Sequence, residues 1–272
     1  MPRSVLNRVT PASLGTGTPS SSTFLRGDGA WVAPSHLELM DRVIVLPRQG
    51  ATTLDGLGGT MSTTGTATAA TWATTNAHTR THRVDYLVTA AATTAVAGVR
   101  SSNPGAVYTR NLAAGYGGFR VTLIAGPATG VATATHRFFA GLANSTAAPT
   151  DVQPSSLVNM AGIGWDAADT NVQIMYNDGS GTASKIDTGW VAPTTDRAAM
   201  YRIEISCAAD AAGITYLATD MVTGLAVSGT LTTDIPSGTT ALAPRAYASV
   251  GGTSSVVGLA FGGLVAEHAV MP

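Results

Sequence analysis

Four aspartates, Asp166, Asp169, Asp178 and Asp187, lie close together in the chain and are the first candidates for chemistry. Glycoside hydrolysis needs two carboxyl groups about 5–9.5 Å apart across a sugar. Sequence proximity does not set such a distance, and the glycines, asparagines and serines around them favour turn-forming roles for several of the four. The run Asn177-Asp-Gly-Ser-Gly-Thr182 offers side-chain oxygens of the kind calcium takes, but it lacks the acidic residue that closes a calcium loop. It reads as a turn. The histidines are His36, His78, His82, His136 and His268. His78 and His82 share a face on either a helix or a strand. The threonines around them argue against a helix, and on a strand the pair stands about 13 Å apart, too far for one ion. No catalytic residue, metal site or cofactor is expected, and the chain is read as a non-enzyme.

Aromatic faces stack on the C–H faces of sugars, which makes Trp72, Tyr116, Trp165, Tyr176 and Trp190 the candidates for glycan contact. Packing is the competing role for each. Trp165 ends a Gly-Ile-Gly strand and Trp190 stands beside Val191 and Pro193, both settings typical of a core. Trp72 lies in a polar tract and has the best claim to exposure. The lone Cys207 falls on the apolar side of the alternation Tyr201, Ile203, Ile205, Cys207 and reads as a buried structural thiol.

The elements that would position these residues are strands. Of the 272 residues 11% are charged and 44% apolar, with few aromatics and many Ala, Thr, Gly and Val. That balance favours strands over solvated helices. It also fits a surface partly hidden against other subunits, or one covered by threonine. Strands are expected at 84–89, 118–124, 137–142, 172–176, 200–207, 246–250 and 255–265, with a hairpin of 214–217 and 225–231 turning at Gly224. Met200–Cys207 is the clearest, since Arg202, Glu204 and Ser206 all face away from the apolar side. One short helix is expected from the capping-box pattern Ser35-His-Leu-Glu38. The tract 52–81, rich in Thr, Ala and Gly, suits disorder, exposed strands or a loop-rich insertion. The architecture expected is all-β: an antiparallel β-sandwich over 47–272, preceded by an extended N-terminal attachment segment and linker, 1–46.

The net charge of −1 gives no electrostatic case for nucleic acid or an anionic membrane. No apolar run is long enough to insert into a bilayer, and the N-terminus lacks the apolar stretch of a signal peptide. The expectation is a soluble protein made in a cytoplasm and not exported by the usual route.

The stretch Gly15-Thr-Gly-Thr-Pro-Ser-Ser-Ser-Thr-Phe-Leu-Arg-Gly-Asp-Gly-Ala-Trp31 holds isolated large apolar side chains among turn residues. It is too poor in apolar surface to form its own core, so it would order against a partner. Arg26-Gly-Asp28 within it reads as a tight turn. This stretch resembles a linker of tail-fibre and related structural proteins of tailed bacteriophages. The runs Arg137–Leu142, Gln153–Leu157, Gly162–Thr182, Lys185–Asp187 and Leu231–Pro244 are similar to the jelly-roll, lectin-like (concanavalin-like) tip domain of such fibres.

The resemblance implies a virion structural protein, a homotrimeric tail fibre or short tail appendage in contact with other virion proteins. Its partner outside the virion would be a cell-surface polysaccharide. Phe24, Leu25, Arg26 and Trp31 would then serve virion attachment or packing between subunits. A capsid decoration or head-fibre protein, a purely structural tail protein and a tip depolymerase remain open alternatives.

Overall fold

In Tyr201–Cys207 the odd positions are buried and the even positions half-buried, as the alternation requires. The computed structural model describes residues 24–25, 31–32, 40–48, 53–56, 59–69, 83–102, 108–111 and 117–269. In chain order its strands are β1 (Phe24–Leu25), β2 (Trp31–Val32), β3 (Met40–Val45), β4 (Thr53–Gly56), β5 (Gly59–Thr64), β6 (Thr66–Ala69), β7 (Val84–Ala92), β8 (Val96–Ser101) and β9 (Phe119–Thr129). There follow β10 (Arg137–Ala143), β11 (Met160–Trp165), β12 (Asn171–Asn177), β13 (Ser184–Val191), β14 (Tyr201–Cys207), β15 (Ile214–Asp220), β16 (Ala226–Leu231), β17 (Ala243–Ser249) and β18 (Ser255–Ala269). Every pairing among them is antiparallel. No α-helix occurs among the described residues, where one 3-10 turn, Pro154–Ser156, is the sole helical element.

Two eight-stranded sheets stack. The first runs β13-β12-β11-β10-β17-β8-β5-β4; the second runs β16-β15-β14-β9-β18-β7-β6, with β3 pairing the C-terminal part of β18. Their inner faces share one apolar core, Phe138, Ile163 and Ile174 from the first sheet meeting Leu123, Ile203 and Phe261 from the second. Burying each of these side chains contributes about 1.5–3 kcal/mol. An aromatic group joins the sheets: the Phe138 ring stacks 4.8 Å from Trp165, and Trp165 meets Tyr201 edge-on at 6.2 Å. Trp190 lies parallel to Tyr201 at the same spacing of 6.2 Å.

A strap formed by residues 144–159 crosses the outer face of the first sheet. Phe139, Met160, Met175 and Tyr247 point out of the sheet into a second, smaller core, against which Leu157 of the strap packs. Close approach is possible because Gly98 has no side chain; a Cβ there would stand 2.9 Å from the Pro149 ring. Polar groups fasten the strap along its length. Asp151 accepts from the N–H groups of Gly251 and Gly252, Asp166 accepts from the Ser155 N–H, and Asn177 donates to the Leu157 carbonyl.

The expected strands are all present, and the 220–225 turn exits through Gly224 at φ 76° as the hairpin reading requires. Two strands were invisible to periodicity. Val96–Ser101 is covered on both faces, so it does not alternate, and Ser184–Val191 is a mostly exposed edge strand. The sandwich also takes in Met40–Val45, which the reading of 1–46 as linker leaves outside; Val43 and Val45 point inward and are buried, which binds this strand to the second sheet. Part of the Thr/Ala/Gly tract forms β4, β5 and β6, which favours the strand reading for those residues. The capping-box segment Ser35–Glu38, Trp72, His78, His82 and Tyr116 lie outside the described residues. So does Arg26, between β1 and β2, which pair as a two-stranded sheet with Leu25 opposite Trp31.

Candidate functional site

Antiparallel strands leave their connections at the two ends of the sandwich. One end gathers the β9–β10 loop, the β11–β12 turn and the start of the β13–β14 connection, and between them opens a pocket of about 300 Å³. Its wall includes Thr133, His136, Trp165, Asp169, Thr170 and Pro193, with the exposed Val191 at its rim. His136 precedes β10 and turns inward, its ring 5.8 Å from that of Trp165. The His136 N–H closes a turn onto the Thr133 carbonyl at 2.9 Å, which fixes the backbone and hence the side chain's direction.

His136 is 4% exposed, and neither Nδ1 nor Nε2 has a hydrogen-bond partner. Burial pushes its pKa down to about 4 against the pull of the nearby Asp196 carboxylate, so the ring is neutral at pH 7. A neutral imidazole offers one donor and one acceptor. Buried ring nitrogens are ordinarily satisfied, and an orphaned pair beside a pocket is what a polar ligand would complete. Asp196 itself is committed, accepting from Thr129 Oγ1 at 2.8 Å and from the Val131 N–H at 3.1 Å. It thereby ties the β13–β14 connection to the β9–β10 loop.

The four aspartates do not form a hydrolytic pair. Asp166 and Asp169 converge on Lys185, the one lysine of the chain, at 2.8 and 2.7 Å. Burial works against the Lys185 charge, but the two carboxylate hydrogen bonds outweigh it and its pKa is raised. Asp187 lies apart, bound to Asn171 and the Gly189 N–H, and Asp178 folds back on Ser180. Asn177 holds its loop by donating to the Leu157 and Gly181 carbonyls, the behaviour of a turn residue. Among the described residues no group of three or more His, Cys, Asp or Glu is placed to hold a metal ion.

Because Asp166 also anchors the strap, Lys185→Met is expected to cost about 1–2 kcal/mol at pH 7, measured by urea unfolding. A raised lysine pKa stabilises below the unfolded value of about 10.4 and loses that contribution as pH rises through the folded value. Alkaline titration of the wild type should therefore reproduce the loss. An unchanged midpoint for the variant would show that the triad is a solvated surface cluster.

Of the glycan candidates within the described residues, Trp165 and Trp190 are 3% and 9% exposed and belong to the core. That overturns their reading as displayed stacking platforms, because both are packed inside the sandwich, Trp165 against Phe138 and Trp190 against Tyr201; Trp165 keeps contact with the outside as a wall of the pocket. Tyr176 is half-buried at the opposite end of the sandwich, paired in register with Ala161. Trp165 and Trp190 are thus brought together around Tyr201 inside the core, and Tyr176 lies apart from them. His136 entered the sequence reading only as one histidine among five, and nothing in its neighbours signals burial. Cys207 is buried as expected, its thiol pushed up to about 11 by desolvation.

No protein-family model matches the chain, and no curated protein is similar to it in sequence. Solved structures are similar in fold. Peanut lectin, in a structure with the nine-residue peptide PVIWSSATG, aligns with TM-score 0.52 at 11% identity over 86% of this chain and 99% of its own. A protein of unknown function from Shewanella oneidensis MR-1 aligns with TM-score 0.52 at 10% identity over 85% of this chain and 87% of its own. At such identity the likeness is one of fold: a lectin-type jelly-roll sandwich. No helix among the described residues is long and apolar enough to cross a membrane.

Proposed function

We propose that this chain is a structural protein of a tailed-phage virion, a tail fibre or short tail appendage whose sandwich binds a glycan of the host surface. The observation that carries the adhesive part is the loop-end pocket of a lectin-type sandwich, with the unpartnered His136 beside Trp165. The virion part rests on the Gly15–Trp31 linker and its resemblance to phage fibres. The protein binds and does not catalyse: the two clustered carboxylates are spent on Lys185. Three copies on one stalk would turn a weak site into a tight hold on a repetitive surface, because the second and third contacts form at high effective concentration.

Immunogold electron microscopy of intact particles, with antibody against residues 84–272, tests the assignment. Label at the tail is expected. Label spread over the capsid would make the chain a decoration or head-fibre protein, and unlabelled particles would remove the virion reading altogether.

A further inference from the structure

Two arginines face each other on the outer side of the first sheet. Arg245 of β17 is the register partner of Arg100 of β8. That pairing sets their Cα atoms about 5 Å apart. Their neighbours Ala246 and Val99 point into the main core, so both guanidinium groups lie on the strap side. Like charges directly opposite one another destabilise a ladder. No ion pair among the described residues offsets them. The nearby acids are engaged elsewhere, Asp151 by Arg137 at 3.3 Å and Asp166 by Lys185 at 2.8 Å.

The strap takes one N–H from each arginine. Arg100 Nε donates to the Thr146 carbonyl at 2.9 Å, and Arg245 Nη2 donates to the Ala147 carbonyl at 3.3 Å. Arg245 is 4% exposed, and its Nε has no acceptor. Its guanidinium carbon sits 6.0 Å from the Tyr247 ring centre. At this point a groove of about 310 Å³ separates strap from sheet. Asn144, Ser145, Leu157, Val158, Arg245 and Tyr247 contribute to its wall. Arg245 thus adjoins a groove that has both polar and apolar sides, with Arg100 beside it on the neighbouring strand and tied to the strap at Thr146.

We propose that this groove binds the carboxylate of an acidic sugar, with Arg245 as its counter-charge and Arg100, its register partner, adding to the positive field. Guanidinium groups match a carboxylate in geometry as well as charge. A desolvated arginine lacking a counter-ion is unfavourable, and an anion that binds the folded state relieves it. Leu157, Val158 and Tyr247 present an apolar side for a sugar's C–H face, while Asn144 and Ser145 can meet hydroxyls. The volume suits one ring. The choice of a sugar to carry the carboxylate rests on the adhesive function proposed above; the anion site itself rests on the arginine pair.

Isothermal titration of the full chain with an oligoglucuronate, a neutral oligoglucose of equal length and inorganic phosphate tests this. Oligoglucuronate should bind, more weakly as salt rises. Arg245→Lys, which keeps the charge and loses the fork, should weaken it about tenfold, and Arg100→Gln, at a half-buried position outside the groove wall, by a smaller factor of about three. Neutral oligoglucose binding as tightly would overturn the role of charge. Phosphate binding as tightly would overturn the assignment to a sugar acid. Absence of oligoglucuronate binding, or wild-type affinity in both natively folded variants, would overturn the site. Uronate binding by a chain missing from virions would sink the virion reading and keep the groove; the reverse would sink the groove alone.

Discussion

Asp85→Ala is expected to lower the unfolding free energy by about 3–5 kcal/mol, the cost of removing one member of a buried ion pair. Asp85 lies on the outward side of β7, with its side chain 1% exposed. Arg83 approaches it at 3.3 Å with a side chain 0% exposed, and Arg197 reaches it at 2.7 Å from the β13–β14 connection. Removing the carboxylate leaves the buried Arg83 guanidinium facing that of Arg197, whose side chain is 33% exposed. Urea unfolding with an unchanged slope would locate the loss in the native state. Asp85→Asn separates charge from shape and should lose most of the same amount. A loss under about 1 kcal/mol for both would mean that the arginines escape to solvent.

The same substitution should reach the pocket. Arg197 has φ 59°, a conformation costly for a residue with a side chain, and its bond to Asp85 supports that turn. The segment around it lies flat on the second sheet because Gly126 leaves room for the Ala199 carbonyl. Next to Arg197 in sequence is Asp196, which ties the connection to Thr129 and Val131, and a few residues earlier is the pocket residue Pro193. The ion cluster therefore acts as a clamp on one wall of the pocket.

Which parts of this were legible in the sequence follows from range. Tyr201–Cys207 declared its faces because one side is buried and the other is not, and the hairpin at Gly224 declared its turn because few residues accept a positive φ. Val96–Ser101 declared nothing, since small residues covered on both sides carry no period. Site features depend on partners distant in the chain. Asp166 and Asp169 looked like possible acids until the edge strand delivered Lys185 between them. Arg100 and Arg245 meet only once β8 and β17 are neighbours, and no local motif announces that. Trp165 shows the converse: its Gly-Ile-Gly context did point to packing.

Between pH 6.5 and pH 4 the wild type is expected to lose about 3 kcal/mol of stability through His136 alone. The folded-state pKa, about 4, lies below the unfolded value of about 6.5. Over that window the unfolded chain binds a proton that the folded chain refuses, so stability rises with pH and is lost as pH falls. Asp196 is the charge that favours protonation and is too weak to reverse burial. Asp187, whose pKa is lowered by the Gly189 N–H and then by Asn171, begins to lose its contribution only below about pH 5 and touches the acid end of the window alone. His136→Phe removes the titrating group and two unsatisfied nitrogens while keeping an aromatic ring against Trp165. Its unfolding free energy should be flat between pH 6.5 and about pH 5 and within about 1 kcal/mol of wild type at pH 7. An equal acid slope in the variant would assign the loss to other groups. If the pocket holds a sugar through this imidazole, the same variant should be as stable as the wild type at pH 7 and bind host glycan at least about tenfold more weakly. Full stability with lost binding is the outcome that packing alone does not produce.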